Sequence, residues 1–415
     1  MNPKFLRTRA TYIVPVVLCV LLVSSAWGGP KYKVLHDFGA GNDGAVPDGS
    51  LLFDARKNLY GNTSGGGTGG CSYGCGTVFE LRAQADGTWK EAVLHNFTAG
   101  SYGAFPWGGL RFDGSDNLYG TMSGYGSFAA GGVFEITQGN DGWAYAILYT
   151  QGAGPGLLMD RQGNLYGEIG PGNYFGIGAI GELSPRSEGW AYTDLANFNP
   201  TVGYDAPAPP VWDGKGNLFG TTTFGGITKP PCYDSRGCGI AFEMTPSKDG
   251  TWAYHILHRF GSYATDGLAP YGGLLMDASG NFYGMTNGGG VHGDGTVYKL
   301  TLTGGHWKKT TVYDFPPNCA DGCGPGGELV FDKAGNLYGT DGGGLQNCGG
   351  YTCGEVFKLT PQENGKWKYT ALHKFTGGAD GPGPNDVIVD DKGSIFGTTF
   401  RGGKYGFGVA FEITP

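Results

Sequence analysis

Asn58-Leu59-Tyr60-Gly61, followed by a Gly-rich loop and then Gly76-Thr77-Val78-Phe79-Glu80-Leu81, is the stretch that decides the fold. Its first four residues recur unchanged at Asn117–Gly120, Asn164–Gly167 and Asn336–Gly339, and in altered form at Asn217–Gly220, Asn281–Gly284 and Ser394–Gly397. Seven copies at intervals of roughly 45 to 65 residues mark a repeat architecture rather than unrelated domains. Each copy keeps the same neighbours in the same order. An apolar run ending in Asp precedes it, as in Leu51-Leu52-Phe53-Asp54 or Leu274-Leu275-Met276-Asp277. A Gly-centred turn after Leu81 leads to Trp89 and a run ending in Leu94-His95-Asn96-Phe97.

These are four short strand signals per repeat, named A to D in chain order, β-branched or aromatic and bounded by turn residues. Asp-x-x-Gly-Asn links A to B in most copies. The Asp recurs as Asp54, Asp113, Asp160, Asp213, Asp277, Asp332 and Asp390 and reads as a hairpin residue accepting backbone N–H groups. The glycine inside every strand B implies close approach of another backbone or of a ring in the next sheet, because glycine otherwise weakens a strand.

The two ends set the topology. Tyr32-Lys33-Val34-Leu35-His36-Asp37-Phe38 is a D strand without its A, B and C, and Val409-Ala410-Phe411-Glu412-Ile413 is a C strand without its D. Pairing them closes an all-β, seven-bladed β-propeller of four-stranded antiparallel blades, a three-plus-one closure by the N-terminal strand, as one domain over residues 29–415. A linear solenoid would leave both strands as open edges. Composition agrees. Glycine contributes 83 of 415 residues, yet no three-residue period exists and proline is only 23, which excludes collagen. Aromatic residues at 14% exclude simple disorder.

Residues 1–28 read as a secretory signal peptide: Lys4, Arg7 and Arg9, the apolar run Ile13 to Val23, then small residues at Ala26 and Gly28. That run is too short to span about 30 Å of hydrocarbon. Export predicts a protein that is secreted, periplasmic or cell-surface, free of the membrane once the signal is removed, and monomeric. The formal net charge of −8, made more negative by loss of the signal, disfavours nucleic acid as a partner. Beyond Cys19 in the apolar run, the cysteines form four close pairs, Cys71/Cys75, Cys232/Cys238, Cys319/Cys323 and Cys348/Cys353. An even count in an exported chain predicts four local disulfides rather than a zinc site.

The combination of Asn-Leu-Tyr-Gly, a Gly-Gly loop and Gly-Thr-Val-Phe-Glu-Leu resembles the tandem repeat of the secreted bacterial Gloeo/Verruco (GloVer) repeat proteins over nearly the whole mature chain. The resemblance implies an exported bacterial protein, often tethered by a C-terminal sorting anchor. This sequence departs there, ending on its last strand, so no anchor is expected. The resemblance carries no activity and no catalytic residues.

Alternating strand directions put the D–A and B–C loops on one face, with every cysteine pair, and tight hairpins on the other. The loop-rich face is the candidate binding face. Gly70-Cys71-Ser72-Tyr73-Gly74 matches a nucleophile-elbow string but lacks the strand-to-helix context. His36, His95, His258 and His373 occupy one D-strand position in different blades, too far apart to share a metal, and are expected to pack or bond between blades. Trp89, Trp143, Trp190, Trp252, Trp307 and Trp367 are expected to be blade packing. Asp43, Asp205, Asp266, Asp321 and Asp380 open the D–A loops, as Asx-turns or, alternatively, as a carboxylate rim for Ca²⁺. No cofactor is otherwise expected.

An asymmetric ligand needs residues that only some blades have. Such departures are Glu168 and Asp341 after the strand-B glycine, Asp48, Trp107, Tyr271 and Asn385 at the start of strand A, and His292 and Arg401 in B–C loops. The third repeat also has Gly181 in place of the recurring Phe. The leading reading is a binding or interaction propeller for a glycan or protein outside the cytoplasm. The alternative is a carbohydrate lyase, hydrolase or lactonase using Glu168, Asp341 and Asp48 as acid/base groups. A purely structural surface component is the third. The ligand is expected between the third and sixth blades, nearest Glu168, Asp341, Trp107 and Tyr271.

Overall fold

The computed structural model describes residues 29–39, 41–99, 103–123, 131–140, 142–171, 178–232, 235–319, 322–343, 346–348 and 351–415. The signal-peptide reading at 1–28 and the Asp321 position lie outside them. Seven antiparallel sheets follow one another around a ring, and the described residues contain no α-helix. Blade 1 is Gly44–Phe53 (A), Leu59–Gly66 (B), Thr77–Ala83 (C) and Trp89–Asn96 (D). Blades 2 to 6 occupy 106–149, 158–197, 211–259, 267–314 and 326–374. Blade 7 is Pro384–Val389, Ile395–Thr399 and Val409–Thr414, with Lys31–Asp37 as its strand D.

That last pairing closes the ring, running antiparallel from Lys31↔Thr414 to Asp37↔Val409. Side chains reinforce it. The Tyr32 hydroxyl donates to the Asp380 carbonyl at 2.8 Å, and Asp37 Oδ1 accepts the Lys404 N–H at 2.6 Å.

The core is a set of seven layers, one at each blade junction, with Phe38, Phe79 and Phe396 in the layer between blades 7 and 1. Each recurrent Trp begins a strand D and packs back onto the preceding blade: Trp89 against Phe396, Trp190 against Tyr119, Trp307 against Phe219. Burying these rings accounts for the high aromatic content.

The strand-B glycines have a nearer cause than the next sheet. Gly61 lies directly opposite Phe79 of strand C in its own blade, and a Cβ there would sit 2.6 Å from Phe79 Cζ. The same cross-strand pair recurs as Gly120/Phe134, Gly220/Phe242, Gly284/Tyr298, Gly339/Phe357 and Gly397/Phe411. The ring lies over the glycine of the adjacent strand, restoring the packing that glycine lacks. Blade 3 pairs Gly167 with Gly181, and Tyr192 packs against Gly181 instead.

All seven hairpin aspartates do the same work. Asp332 Oδ1 accepts the Ala334 and Asn336 N–H groups, both at 2.9 Å, and Oδ2 accepts Asn336 Nδ2 at 2.6 Å. Asp54, Asp113, Asp160, Asp213, Asp277 and Asp390 repeat the backbone pattern. The four disulfides are the local ones, Cys71–Cys75, Cys232–Cys238, Cys319–Cys323 and Cys348–Cys353. Cys75 and Cys353 are fully buried, so their bridges pack onto interblade layers as well as stapling loops.

Candidate functional site

Strand A, the innermost of each blade, is irregular where it nears the axis. Its pairing with strand B shifts register between Asp48 and Leu52, between Trp107 and Arg111, and between Pro384 and Val387. The residues released from pairing form a belt around the axis in which backbone meets backbone. Gly272 has φ of +138°, and a Cβ there would fall 1.6 Å from the Gly327 carbonyl oxygen of the next blade. Side chains tie the belt together: Asn62 Nδ2 donates to the Gly108 carbonyl at 2.7 Å, Thr221 Oγ1 to the Gly272 carbonyl at 2.9 Å and Asn385 Nδ2 to the Pro47 carbonyl at 2.8 Å.

Above this belt, on the loop-rich face, lies a cavity of about 470 Å³ lined by Asp48, Trp107, Tyr271, Asp341, Asn385 and Asp386, among others. A second cavity of about 220 Å³ continues along the axis between the A strands, sharing Asp386 with the first. A side pocket of about 390 Å³ over blades 4 and 5 holds Phe224 and Arg236 and shares Tyr271 and Asn287 with the axial mouth. Tyr271 is 53% exposed and stands between mouth and side pocket.

Three carboxyl groups, those of Asp48, Asp341 and Asp386, line the mouth beside Asn287, Thr340 and Asn385. Burial, then the nearby Glu328 and Asp48 carboxylates, push Asp386 up to about 7, although the Glu328 N–H donates to its Oδ1 at 2.8 Å. Burial also raises Asp48, against the Gly108 and Gly49 backbone groups that favour its charged form. Burial raises the Tyr271 phenol, with Asp205, Asp48 and Asp386 adding to the effect. The indole N–H of Trp107 is buried without an acceptor among the described residues.

Of the residues the sequence singled out, Asp48, Trp107, Tyr271 and Asp341 come together around this mouth, with Asn385 beside them. Asp341 is tied into the blade: its Oδ1 accepts the Gly343 N–H at 2.7 Å and its Oδ2 the Tyr369 hydroxyl at 3.2 Å. Burial, then Glu355, which the Tyr369 hydroxyl also contacts, raises Asp341 well above the usual carboxylate range. Glu168 does not line the mouth. It is buried at the end of strand B in blade 3, against Gly154, and burial followed by Asp205 pushes it up to about 8. His292 and Arg401 are exposed on their B–C loops and line neither axial cavity.

Asp386 escaped the sequence reading. Its signal was the Asn385-Asp386 pair where blades 1, 2, 5 and 6 bring glycine to the belt.

The D-strand histidines pair along their own loops. His36, His258 and His373 place Nε2 at 2.9, 2.8 and 3.1 Å from Oδ2 of Asp43, Asp266 and Asp380. The same Oδ2 atoms accept N–H groups of Gly39, Ser262 and Thr376. His95 has no such Asp and stacks on Tyr145 of blade 2 with ring centroids 4.1 Å apart.

Residues 233–415 match the model of the Gloeobacter/Verrucomicrobia repeat, the family that the sequence resemblance names. A comparison with curated proteins returns no match. Among solved structures, the chain superposes on the extracellular domain of a B. thetaiotaomicron protein described as a hybrid two component system, with TM-score 0.51 and 9% identity over 91% of this chain. It spans only 41% of that chain's length. It also matches a protein of unknown function from Dyadobacter fermentans (TM-score 0.47, 12% identity, 93% of this chain and 98% of that one) and an ancestral GH74 enzyme (TM-score 0.47, 14% identity, 92% and 53%). At these identities the likeness is one of fold.

Proposed function

We propose that this protein is an exported, monomeric binding propeller whose ligand is a carbohydrate seated across the axial mouth. The observation behind this reading is the joint presence, in one cavity, of an exposed aromatic face and several polar groups. Tyr271 and Trp107 offer rings for stacking on a sugar, while Asp48, Asn385 and Asp386 offer hydroxyl-binding atoms. The side pocket with Phe224 and Arg236 extends the surface in one direction, as an oligosaccharide requires. Four disulfides fit an oxidising compartment, where such ligands are met. Among the described residues no helix is long and apolar enough to cross a membrane.

A glycan array followed by calorimetry tests the proposal. Tyr271→Ala and Asp386→Asn are expected to lower affinity at least tenfold with an unchanged melting temperature, while His292→Ala and Arg401→Ala leave it intact. Absence of binding to any glycan, or binding insensitive to Tyr271 and Asp386, overturns it.

One observation favours an enzyme as the second reading. Asp386, raised to about 7 by burial and its acidic neighbours, shares the axial mouth with Asp48, which burial also raises, so two carboxyls suited to proton transfer line one cavity. Release of new reducing ends from a bound glycan, abolished by Asp386→Asn, distinguishes this from binding alone.

A further inference from the structure

At most blade junctions the second residue after the recurrent Trp is a tyrosine facing the preceding blade. Tyr32 of the closing strand stands at the matching place. Tyr145 stacks on His95, Tyr192 on Tyr149, Tyr369 on Tyr313, and Tyr32 on His373. Two junctions put a charged side chain there instead. Between blades 4 and 5 it is Lys309, whose Nζ lies 2.6 Å from Oδ1 of Asp266 while His258 takes Oδ2. One carboxylate meets one ammonium, and the buried charge is matched.

Between blades 7 and 1 the residue in the place of Lys309 is Glu91. It faces the same His–Asp pair, here His36 and Asp43. The Asp43 side chain is only 5% exposed, and its Oδ1, the atom whose counterpart receives the ammonium, has no donor among the described residues; nor has Glu91 Oε1. Two carboxylates are thus held together where the sister junction supplies a cation. A buried carboxylate without a partner is costly, so the pair has either to share a proton between its two carboxyls or to take a cation from outside the chain.

We propose that His36, Asp43 and Glu91 form a site for a divalent d-block cation, of which Zn²⁺ is the natural probe. One ligand atom from each residue lies within 4.8 Å of the other two. Bonds of about 2.0–2.2 Å put ligand atoms roughly 3–4 Å apart, so the three close on the ion by a small side-chain rotation. An imidazole nitrogen with two carboxylate oxygens suits zinc or manganese better than calcium, which prefers oxygen alone. Charge balances: a dication and two carboxylates with a neutral imidazole, its proton on Nδ1, sum to zero. The His36 side chain keeps 18% exposure, which leaves a way in. His36 sits on the closing strand and Glu91 on strand D of blade 1, so the ion would pin the ring's seam.

Calorimetry and thermal melts of the tag-free mature protein, stripped with a chelator and then titrated with Zn²⁺, Mn²⁺ or Ca²⁺, test this. One zinc per chain and a rise of several degrees in melting temperature are expected. Glu91→Gln should bind at least tenfold more weakly. Glu91→Lys recreates the sister junction and should raise the melting temperature without metal while abolishing the zinc response. If no metal binds, the carboxylates share a proton instead and the proposal falls. It falls equally if Ca²⁺ binds in preference to Zn²⁺, or if zinc acts alike on wild type and both Glu91 variants.

Discussion

His95 shows what a repeat position becomes when its partner is missing. Burial against Tyr145 and Phe97, with no carboxylate to compensate, pushes its imidazole down to about 4. The unfolded chain takes up that proton near pH 6.5, the folded one only near 4, so the unfolded state binds more protons in between. The stability this residue contributes is complete above about pH 6.5 and is lost as pH falls toward 4. Melting temperature followed from pH 7.5 to 4.5 should drop, and His95→Gln should flatten the slope. At the sister position His258, Asp266 carries the opposite signature. Burial works to raise its pKa, but His258 and Lys309 outweigh burial and hold it low. Lys309→Met leaves that carboxylate buried and half unpaired, and a loss of about 3–5 kcal/mol is expected in urea unfolding. Sequence comparison finds such positions, since the residue after Trp-x stands out as Glu91 or Lys309 among tyrosines. It does not show what the odd residue faces, because that lies on another blade.

Strands were legible because each repeat writes the same pattern again, and pattern reports side-chain alternation. Register was not. The glycine of strand B and the Phe of strand C are both plain in the sequence, yet that they face each other within one blade depends on the B–C loop length. The pair makes a sharp test. Gly61→Ala drives a methyl into Phe79 and is expected to cost about 1–3 kcal/mol in denaturant melts, and Phe79→Leu in the same chain should recover part of it. Strand A explains the gap at the site. In blade 7 its pairing runs from Pro384↔Thr399 to Val387↔Gly397, and this register shift carries Asp386 into the channel. Aligning the repeats by residue count does not reveal that. Glu168 stood out as a departure from the repeat, and like Asp341 it ends a strand B, but its carboxyl lies against Gly154 and the Asp205–Ala206 segment, away from the mouth that Asp341 lines.

The whole ring depends on the pairing of Lys31–Asp37 with Val409–Thr414. Deleting residues 31–38 exposes the strand 409–414 as an open edge and removes Phe38, which is fully buried, from the layer between blades 7 and 1. The truncated chain should aggregate and melt well below the intact mature protein; equal behaviour in light scattering and thermal melts would argue that the seam is dispensable. Breaking a single disulfide should matter less. A five-residue ring removes only about 2 kcal/mol of chain entropy from the unfolded state, so Cys319→Ser with Cys323→Ser, a bridge outside the interblade layers, is expected to lower stability by no more than that.

The seam also imposes an order of events. The strand that completes blade 7 is synthesised long before its neighbour, with Lys31 and Thr414 separated by 383 positions. The hairpins inside each blade form from near neighbours, but this one contact has to wait until residues 409–414 have been made. Bringing so distant a pair together costs on the order of 5 kcal/mol of chain freedom. A nascent chain can therefore assemble blade after blade and still remain an open arc until residues 409–414 arrive to lock the circle.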